Sequence, residues 1–339
     1  MIHFKRKISC MFLISVFLIA SCSDSSVNSP TPEKDISSDI ESILMSRIDH
    51  SNMAKVKDLN PIDLKGVSSF SGINTMLKDD GVNVRLAYAE TVTKHSDNNH
   101  ASGQTIFAND RTKQLTAQWV PNDSRRNADG NNLTYLVWDV FAPANFGLPN
   151  QFDGTPAIDA SFDTWNTIKN KAKLNITKRP NTPFNPSLIL GGNPFLADIA
   201  QVGFLPGIFF ESFVGPGSST NVLGVTFTFI FVDSEGNPTD INNDGFNDTA
   251  VKEVWYNDDF VWTDSGNTAT EIDLETVALH ENGHALGFGH FGKISVTKNN
   301  KLHVSPRSVM NAIILGTQRT LLGTDKASYN SIYGNWPAN

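Results

Sequence analysis

Cysteine is nearly absent from this chain of 339 residues, which has only Cys10 and Cys22. Everything after residue 22 therefore has neither a disulfide nor a free thiol, so its stability must come from its core and from any ions it binds. Charged residues are also sparse, at 18%, with 27 Lys and Arg against 35 Asp and Glu. Because no dense basic cluster is present, we expect no nucleic-acid partner.

The apolar content is sufficient for one large core. Hydrophobic residues make up 39% of the chain and the net charge is −8, which is ordinary for a soluble protein. We find no internal repeat. The composition therefore predicts a single main domain, and we expect it to be a monomer.

The first 21 residues have the features of an export signal. Basic residues at 5–7 precede an apolar stretch that is too short to span a bilayer. The sequence Ile-Ala-Ser-Cys that ends at Cys22 resembles a bacterial lipoprotein cleavage site. We therefore expect a signal peptide over 1–21 and a lipid anchor on Cys22, in the bacterial cell envelope. Ser23 favours the outer membrane. An ordinary secretory signal with an incidental cysteine is the alternative.

The run HENGHALGFGH, which begins at His280, carries the clearest chemical signal. On a helix, His280 and His284 lie on one face and can present two imidazole nitrogens to one metal ion. Glu281 is turned about 100° from His280 and can take a proton from a metal-bound water. Gly287 permits a left-handed turn that ends the helix. The chain can then fold back, so that His290 supplies a third nitrogen.

Three protein ligands leave the fourth position of tetrahedral zinc open, which is the catalytic arrangement rather than the closed structural one. Zinc lowers the pKa of a bound water to about 7, so that a hydroxide-like nucleophile is available at neutral pH. The alternative is a surface helix with unrelated histidines. The glycine and the third histidine at the required spacing argue against it.

This pattern, H-E-x-x-H-x-x-G-x-x-H, resembles the metzincin clan of zinc endopeptidases, and the chain is most similar to the matrixins. Further matches to that family are Leu133-Thr134-Tyr135, Ala160–Trp165, Ala197-Asp198-Ile199 and Gly323–Gly334. The resemblance implies an α+β zincin-like catalytic domain over 104–339, with a twisted mixed sheet, an active-site helix and a C-terminal helix. It also implies that Met310 lies in a turn beneath the metal and that the substrate is a protein or peptide.

The chain departs from the matrixin pattern at several positions. Phe291 replaces the Ser or Thr that usually follows the third histidine, and Lys293–Val304 reads as an inserted hairpin. No proline follows Met310 closely, so the wall of the substrate pocket is not carried over. No tyrosine stands two residues after Met310, so the tyrosine ligand of astacin-like enzymes is missing. Because no cysteine follows Cys22, the thiolate that keeps matrixin proenzymes latent is also missing.

Histidine is absent between residues 101 and 279. Matrixins hold a second, structural zinc through three histidines in that region, so we expect this site to be missing and one zinc to bind per chain. Oxygen-bearing side chains alternate around a glycine in a loop that resembles a partial calcium-binding loop, at Asp240, Asn242, Asp244, Gly245 and Asp248. The alternative is a polar surface turn. Asp258 and Asp259 also stand near where matrixins place calcium ligands.

The remaining chain divides into segments of different character. Residues 22–60 predict a solvated tether followed by a short amphipathic helix, and 61–103 form an N-terminal segment of uncertain role. Predicted strands and helices within and before the 104–339 domain are Val82–Tyr88, a hairpin of 105–107 with Leu115–Val120, Leu133–Phe141, helix Ile158–Ile168, Val222–Val232, helix Asp273–Gly287 and a last helix capped by Thr324.

The leading hypothesis is a zinc endopeptidase that hydrolyses extracellular or envelope proteins, with Glu281 as general base. The first alternative is a non-proteolytic surface-binding lipoprotein built on a metzincin frame. The second is a zinc hydrolase that acts on cell-wall peptides. Glu281 argues against the first alternative, because a purely structural metal site has no use for that carboxylate.

Overall fold

The structure is a computed structural model, and it describes residues 68–94, 114–126, 130–138, 153–168, 174–189, 192–205, 207–297 and 301–338. The predicted signal peptide, the lipid site Cys22, the tether and its helix lie outside these residues. None of the helices in the described ranges is long and apolar enough to cross a bilayer.

The described residues form a mixed sheet with helices, which confirms the α+β class. Their strands are β1 (Val84–Lys94), β2 (Ala117–Gln118), β3 (Leu133–Val137), β4 (Ile176–Lys178), β5 (Ile199–Leu205), β6 (Val222–Phe231), β7 (Asn247–Asn257), β8 (Val261–Thr263), β9 (Glu271–Asp273), β10 (Lys293–Val296), β11 (Leu302–Ser305) and β12 (Ile313–Ile314). Their helices are α1 (Ser68–Asp79), α2 (Thr155–Asn166), α3 (Gly207–Phe213), α4 (Ser218–Asn221), α5 (Leu274–Ala285) and α6 (Gly323–Tyr333), with a 3-10 turn at Pro194–Leu196.

The main sheet has the strand order β12-β1-β6-β7-β5-β3-β4, and β2 also pairs with β7. Neighbours from β4 to β7 are parallel, β6 is antiparallel to both β7 and β1, and β12 is parallel to β1. Every residue of β5 and β6 is buried. This is why their sequences are almost continuously apolar, as expected for strands covered on both faces.

Two apolar cores lie against the sheet. The first contains α2, α5 and α6 residues such as Phe162, Leu279 and Tyr333. The second contains α1 and α3 residues, among them Leu77 and Phe210, with the aromatic side chains of β6. The zinc-motif helix therefore lies in the interior, which predicts that its side chains are held rigidly.

The segment 61–103, whose role the sequence left uncertain, contributes a strand to the main sheet. β1 pairs with β6 from Val84 to Thr93, and α1 packs its Ile73 and Leu77 in the same core as the start of β1. The predicted strand at Val82–Tyr88 is therefore present, although it extends further, to Lys94.

Other local predictions have mixed outcomes. β10 and β11 form the inserted antiparallel hairpin, and its turn at 298–300 lies outside the described residues. Residues 105–107 also lie outside them, so the hairpin with Leu115–Val120 stays a prediction. The Thr324 cap is wrong: α6 begins after Leu322. Asp325 accepts the Leu322 N–H at 2.7 Å instead, while the Thr324 hydroxyl donates to the carbonyl of Arg307.

Candidate metal centre

The motif helix α5 begins at a well-formed N-cap. The Asp273 carboxylate accepts hydrogen bonds from the Thr276 N–H at 3.0 Å and from its hydroxyl at 2.6 Å, which satisfies donors that the first turn leaves unpaired. Arg319 forms an ion pair with the same carboxylate, and the pKa of Asp273 is held below its usual value, because these hydrogen bonds and charges outweigh burial. The cap predicted at Asp273 is confirmed.

The helix ends as the glycine predicts. Gly287 has a φ of 88°, a left-handed conformation that side chains disfavour. Its N–H bonds to the carbonyl of His284 at 2.9 Å, and the Phe288 N–H bonds to the carbonyl of Gly283 at 3.0 Å. These two bonds form the Schellman motif that ends many helices, and they turn the chain back toward the metal site.

Aromatic side chains fix the position of α5 by hydrogen bonds to three main-chain carbonyls. They donate hydrogen bonds to main-chain carbonyls: Trp119 Nε1 to Ala285 at 2.9 Å, Trp165 Nε1 to Leu279 at 3.0 Å and Tyr333 Oη to Leu286 at 2.7 Å. Each bond satisfies a buried acceptor, so their joint effect is to hold the helix in one position.

Three imidazoles converge at one point. His280 Nε2 lies 2.9 Å from His284 Nε2, and His284 Nε2 lies 3.2 Å from His290 Nε2. The ligand nitrogens of the three rings all lie within 4.8 Å of one another, which is close enough for one metal ion. Among the described residues, no other group of three or more His, Cys, Asp or Glu side chains meets this condition. The motif therefore brings together the three histidines that its spacing predicts.

The other ring nitrogens define the tautomers. His280 Nδ1 lies 2.7 Å from the carbonyl of Val309, and His284 Nδ1 lies 2.7 Å from the carbonyl of Phe288. Because a carbonyl can only accept, each Nδ1 carries the proton and each Nε2 presents a lone pair. Burial, with the neighbouring imidazole, lowers the pKa of His280 well below its usual value and that of His284 to about 3. Both rings are therefore neutral at pH 7.

Facing lone pairs at these distances repel one another unless a cation lies between them. Three nitrogens bound to tetrahedral zinc at about 2.0–2.1 Å lie roughly 3.3 Å apart, close to the spacing of the imidazoles here. The carbonyls on Nδ1 are the outer partners that metal-bound histidines usually have. The donor set therefore fits zinc.

Met310 lies in a turn that packs against this helix. Its side chain is 1% exposed, and a Cβ added at Gly283 would overlap its sulfur and methyl group. The Asp325 carboxylate holds the turn by accepting hydrogen bonds from the Val309 N–H at 2.9 Å and from the Ser308 hydroxyl. This turn also positions His280, whose Nδ1 is bound to the carbonyl of Val309.

The carboxylate of Glu281 lies between the helix and the sheet. Thr226 Oγ1 donates to Glu281 Oε2 at 2.6 Å, while Oε1 is buried and has no hydrogen-bond partner among the described residues. The Val92 main-chain N–H faces the carboxylate and stabilises its charge. Burial is the largest effect and raises the pKa of Glu281 to about 8, with Glu90 adding to the rise and Thr226 opposing it.

The calcium prediction at 240–248 is unsupported. The carboxylate of Asp240 accepts hydrogen bonds from the N–H groups of Asp244 and Gly245, at 3.1 and 3.0 Å. Asp248 is fully buried in an ion pair with Arg125 and accepts the Thr239 hydroxyl. These bonds are those of a polar surface turn that closes on itself.

Sequence reasoning missed the groups that surround Glu281. Thr226, Gly224 and Val92 come from strands far from the motif in sequence, so no spacing connects them to it. One usable signal was present: Thr226 and Thr228 alternate within the apolar run of β6, which places two hydroxyls on one face of a buried strand. Asp325 was also missed, because a charged residue in a helix's first turn normally needs no further explanation.

Comparison with known families agrees with this geometry. A family model described as Matrixin matches residues 243–333, a region that contains the three histidines, Glu281, the turn at Met310 and α6. The resemblance to the matrixins is therefore confirmed for this part of the chain. No curated protein matches the chain. The match and the histidine cluster together support a zinc metallopeptidase.

Proposed function

We propose that this chain is a zinc-dependent endopeptidase that hydrolyses peptide bonds in extracellular or cell-envelope proteins. The observation that carries the proposal is the convergence of three imidazole nitrogens with the Glu281 carboxylate beside them. His280, His284 and His290 would hold the ion. When bound there, zinc supplies Lewis acidity that activates water and polarises the scissile carbonyl.

Glu281 is the general base in this proposal. Its Oε2 is oriented by the Thr226 hydroxyl, which leaves Oε1, the atom without a hydrogen-bond partner, to accept a proton from the attacking water. The same carboxyl then returns the proton to the leaving amine. Met310 supports the helix from below without contacting substrate.

We also propose that the chain is exported and anchored by lipid at Cys22, most simply in the outer membrane. Two or more acyl chains provide the stable attachment that one chain does not. Metabolic labelling with a fatty acid tests this: Cys22→Ala should lose the label, whereas Cys10→Ala should keep it. Equal labelling of both variants would contradict a lipid anchor at Cys22.

The burial of the site favours one alternative, a non-proteolytic binding module. His280, Glu281 and His284 are each 0% exposed, which an enzyme open to protein substrates would not require. The unsatisfied oxygen of Glu281 favours the endopeptidase instead, because a structural metal site gains nothing from a buried carboxylate oxygen without a hydrogen-bond partner.

Incubation of the zinc-loaded protein with casein and, separately, with purified peptidoglycan tests the proposal. Casein cleavage alone supports an endopeptidase. Cleavage of peptidoglycan alone would replace it with a cell-wall hydrolase. With zinc bound, no reaction on either substrate would leave the binding module.

A further inference from the structure

β1 runs along the edge of β6 and ends at the candidate site. The two strands pair antiparallel from Val84, opposite Phe231, to Thr93, opposite Val222. The last residues of β1 then pair in parallel with β12, the short strand that follows the Met310 turn. Residues 92–94 therefore lie in a slot between β6 and β12.

At this slot the main chain of β1 meets Glu281. Val92 is 0% exposed and is paired with Gly224 of β6. Because Gly224 has no side chain, Glu281 approaches the strand there: its Cγ and Oε1 would lie 3.1 and 3.2 Å from a Cβ at that position. The Val92 N–H faces the Glu281 carboxylate. Gly224 therefore leaves room for the carboxylate beside Val92.

The next residue is held from the opposite side. The Thr93 N–H donates to the carbonyl of Ala312 at 3.2 Å, and the Thr93 hydroxyl donates to the same atom at 3.1 Å. β1 is thus bound by main-chain hydrogen bonds along both its edges. This is how a sheet edge binds an extended peptide in an added-strand complex.

From this placement we infer that β1 occupies the groove in which an extended peptide substrate lies, and that the chain hydrolyses its own Thr91–Val92 bond. The inference rests on the proposed function and deepens it: the first substrate is a segment of this chain.

The position of Glu281 matches the chemistry of this step. Water adds its oxygen to the carbonyl carbon of Thr91, and the bond from that carbon to the nitrogen of Val92 breaks. Glu281 takes a proton from the water and delivers it to the Val92 nitrogen, the atom that its carboxylate faces. The products are a carboxylate at Thr91 and an amine at Val92, and no other reactant is required.

Latency of the intact chain follows from the same geometry. While β1 is paired with β6 and β12, another protein cannot add a strand at these edges. Cleavage divides β1 into two shorter pieces that no longer reinforce each other's binding, as two linked sites lose avidity when the link is cut. Proteolysis of other proteins should therefore begin only after the chain has cut itself.

A time course on the purified full chain tests both points. After addition of one equivalent of zinc, intact mass and N-terminal sequencing follow the chain while casein hydrolysis is measured in the same tube. We expect a new N-terminus at Val92 and a lag in casein hydrolysis that ends as this product accumulates. Glu281→Ala should stay intact, and Glu235→Ala, a matched change at an exposed position, should cut like the wild type.

Failure of the inference and failure of the proposed function give different results. Casein hydrolysis that starts at once with residues 84–94 intact would overturn self-cleavage and leave the endopeptidase standing. If neither casein nor the chain is cut although zinc is bound, the proposed function itself is wrong, and the inference falls with it.

Hydrogen exchange on the zinc-free full chain tests the occupancy without any activity. The Thr93 amide should exchange as slowly as the amides of β6, because it is bound to Ala312, whereas the Ser234 amide at an exposed position of a turn should exchange rapidly. If Thr93 exchanges as fast as Ser234 while β6 remains protected, β1 does not fill the groove and the inference is overturned.

Discussion

Met310 fills the space that a side chain at Gly283 would need. A Cβ at this glycine would overlap the sulfur of Met310 and lie 3.0 Å from its methyl group and 3.1 Å from Trp165 Cζ2. Gly283 lies between the histidines of α5, so the turn approaches the helix directly beneath the ligands. The absence of a side chain in the middle of the motif is thus a packing requirement.

Substitution of Gly283 by Ala should destabilise the protein, because the added methyl group forces Met310 and Trp165 to move. Overpacking of this kind typically costs about 1–3 kcal/mol, which chemical denaturation can measure. Gly72→Ala is the matched control in α1, where a Cβ meets no atom within 4 Å. Its expected effect is neutral or slightly stabilising. An equal loss in both variants would contradict the packing account.

The Asp325 carboxylate ties α6 to the Met310 turn, so Asp325→Asn should weaken both the fold and the metal site. Asparagine replaces one of the two carboxylate oxygens by an NH2 group, so a donor would face the N–H of either Val309 or Leu322, a mismatch worth about 1–3 kcal/mol. Zinc affinity should fall roughly tenfold or more, since the turn orients His280 through Val309. Competition with a zinc chelator measures this. Asp79→Asn, at an exposed position, should change neither property.

The geometry of the zinc motif could be predicted from the sequence because it depends only on residues that are close together in the chain. The four-residue spacing of His280 and His284 and the left-handed Gly287 follow from helix geometry alone. Alternation also predicted the strand that begins near Val84. It could not give that strand's neighbours, because period two defines which face a residue lies on and not which strand pairs with it.

Glu253 predicts a pH dependence of stability that is independent of the metal site. It is completely buried on β7, and burial raises its pKa from 4.5 to about 7, although Ser187 and Leu188 donate to it. Its stabilising contribution is fully present below pH 4.5, the pKa of the unfolded state, and is lost as the pH rises to about 7. The change should be on the order of 3 kcal/mol.

Glu253→Gln removes this titration. The unfolding free energy of the variant should therefore rise relative to that of the wild type between pH 4.5 and 7, and the difference should be constant above that range. Denaturant unfolding at several pH values measures it. A difference that does not vary with pH would show that the pKa of Glu253 is the same in the folded and the unfolded protein.

Zinc should stabilise the fold, because the three converging imidazoles, which repel one another without a cation, become its ligands. At a free zinc concentration of one hundred times Kd, the gain is about 2.7 kcal/mol. Thermal unfolding with and without a chelator measures it, and metal analysis should find one zinc per chain. His290→Ala should abolish the gain, and His303→Ala, on the exposed face of β11, should keep it. Two tightly held zinc ions per chain would contradict the account.

The groups that surround Glu281 could not be read from the sequence for a physical reason. Thr226 and Gly224 reach it from β6 and Val92 from β1, and each contact depends on how distant strands are ordered in the sheet. The residues of one strand do not reveal which other strands will lie beside it in the sheet. Asp325 is similar: its cap on α6 is local, whereas its bond to Val309 exists only after α6 has packed beside the turn.

The central claim is that three histidines hold zinc while Glu281 carries out proton transfer. Zinc content and casein cleavage, measured together for the wild type and Glu281→Ala, test it most directly. The account predicts one zinc in both proteins, cleavage by the wild type, and loss of nearly all cleavage in the variant. Full cleavage by Glu281→Ala with its zinc retained would contradict it.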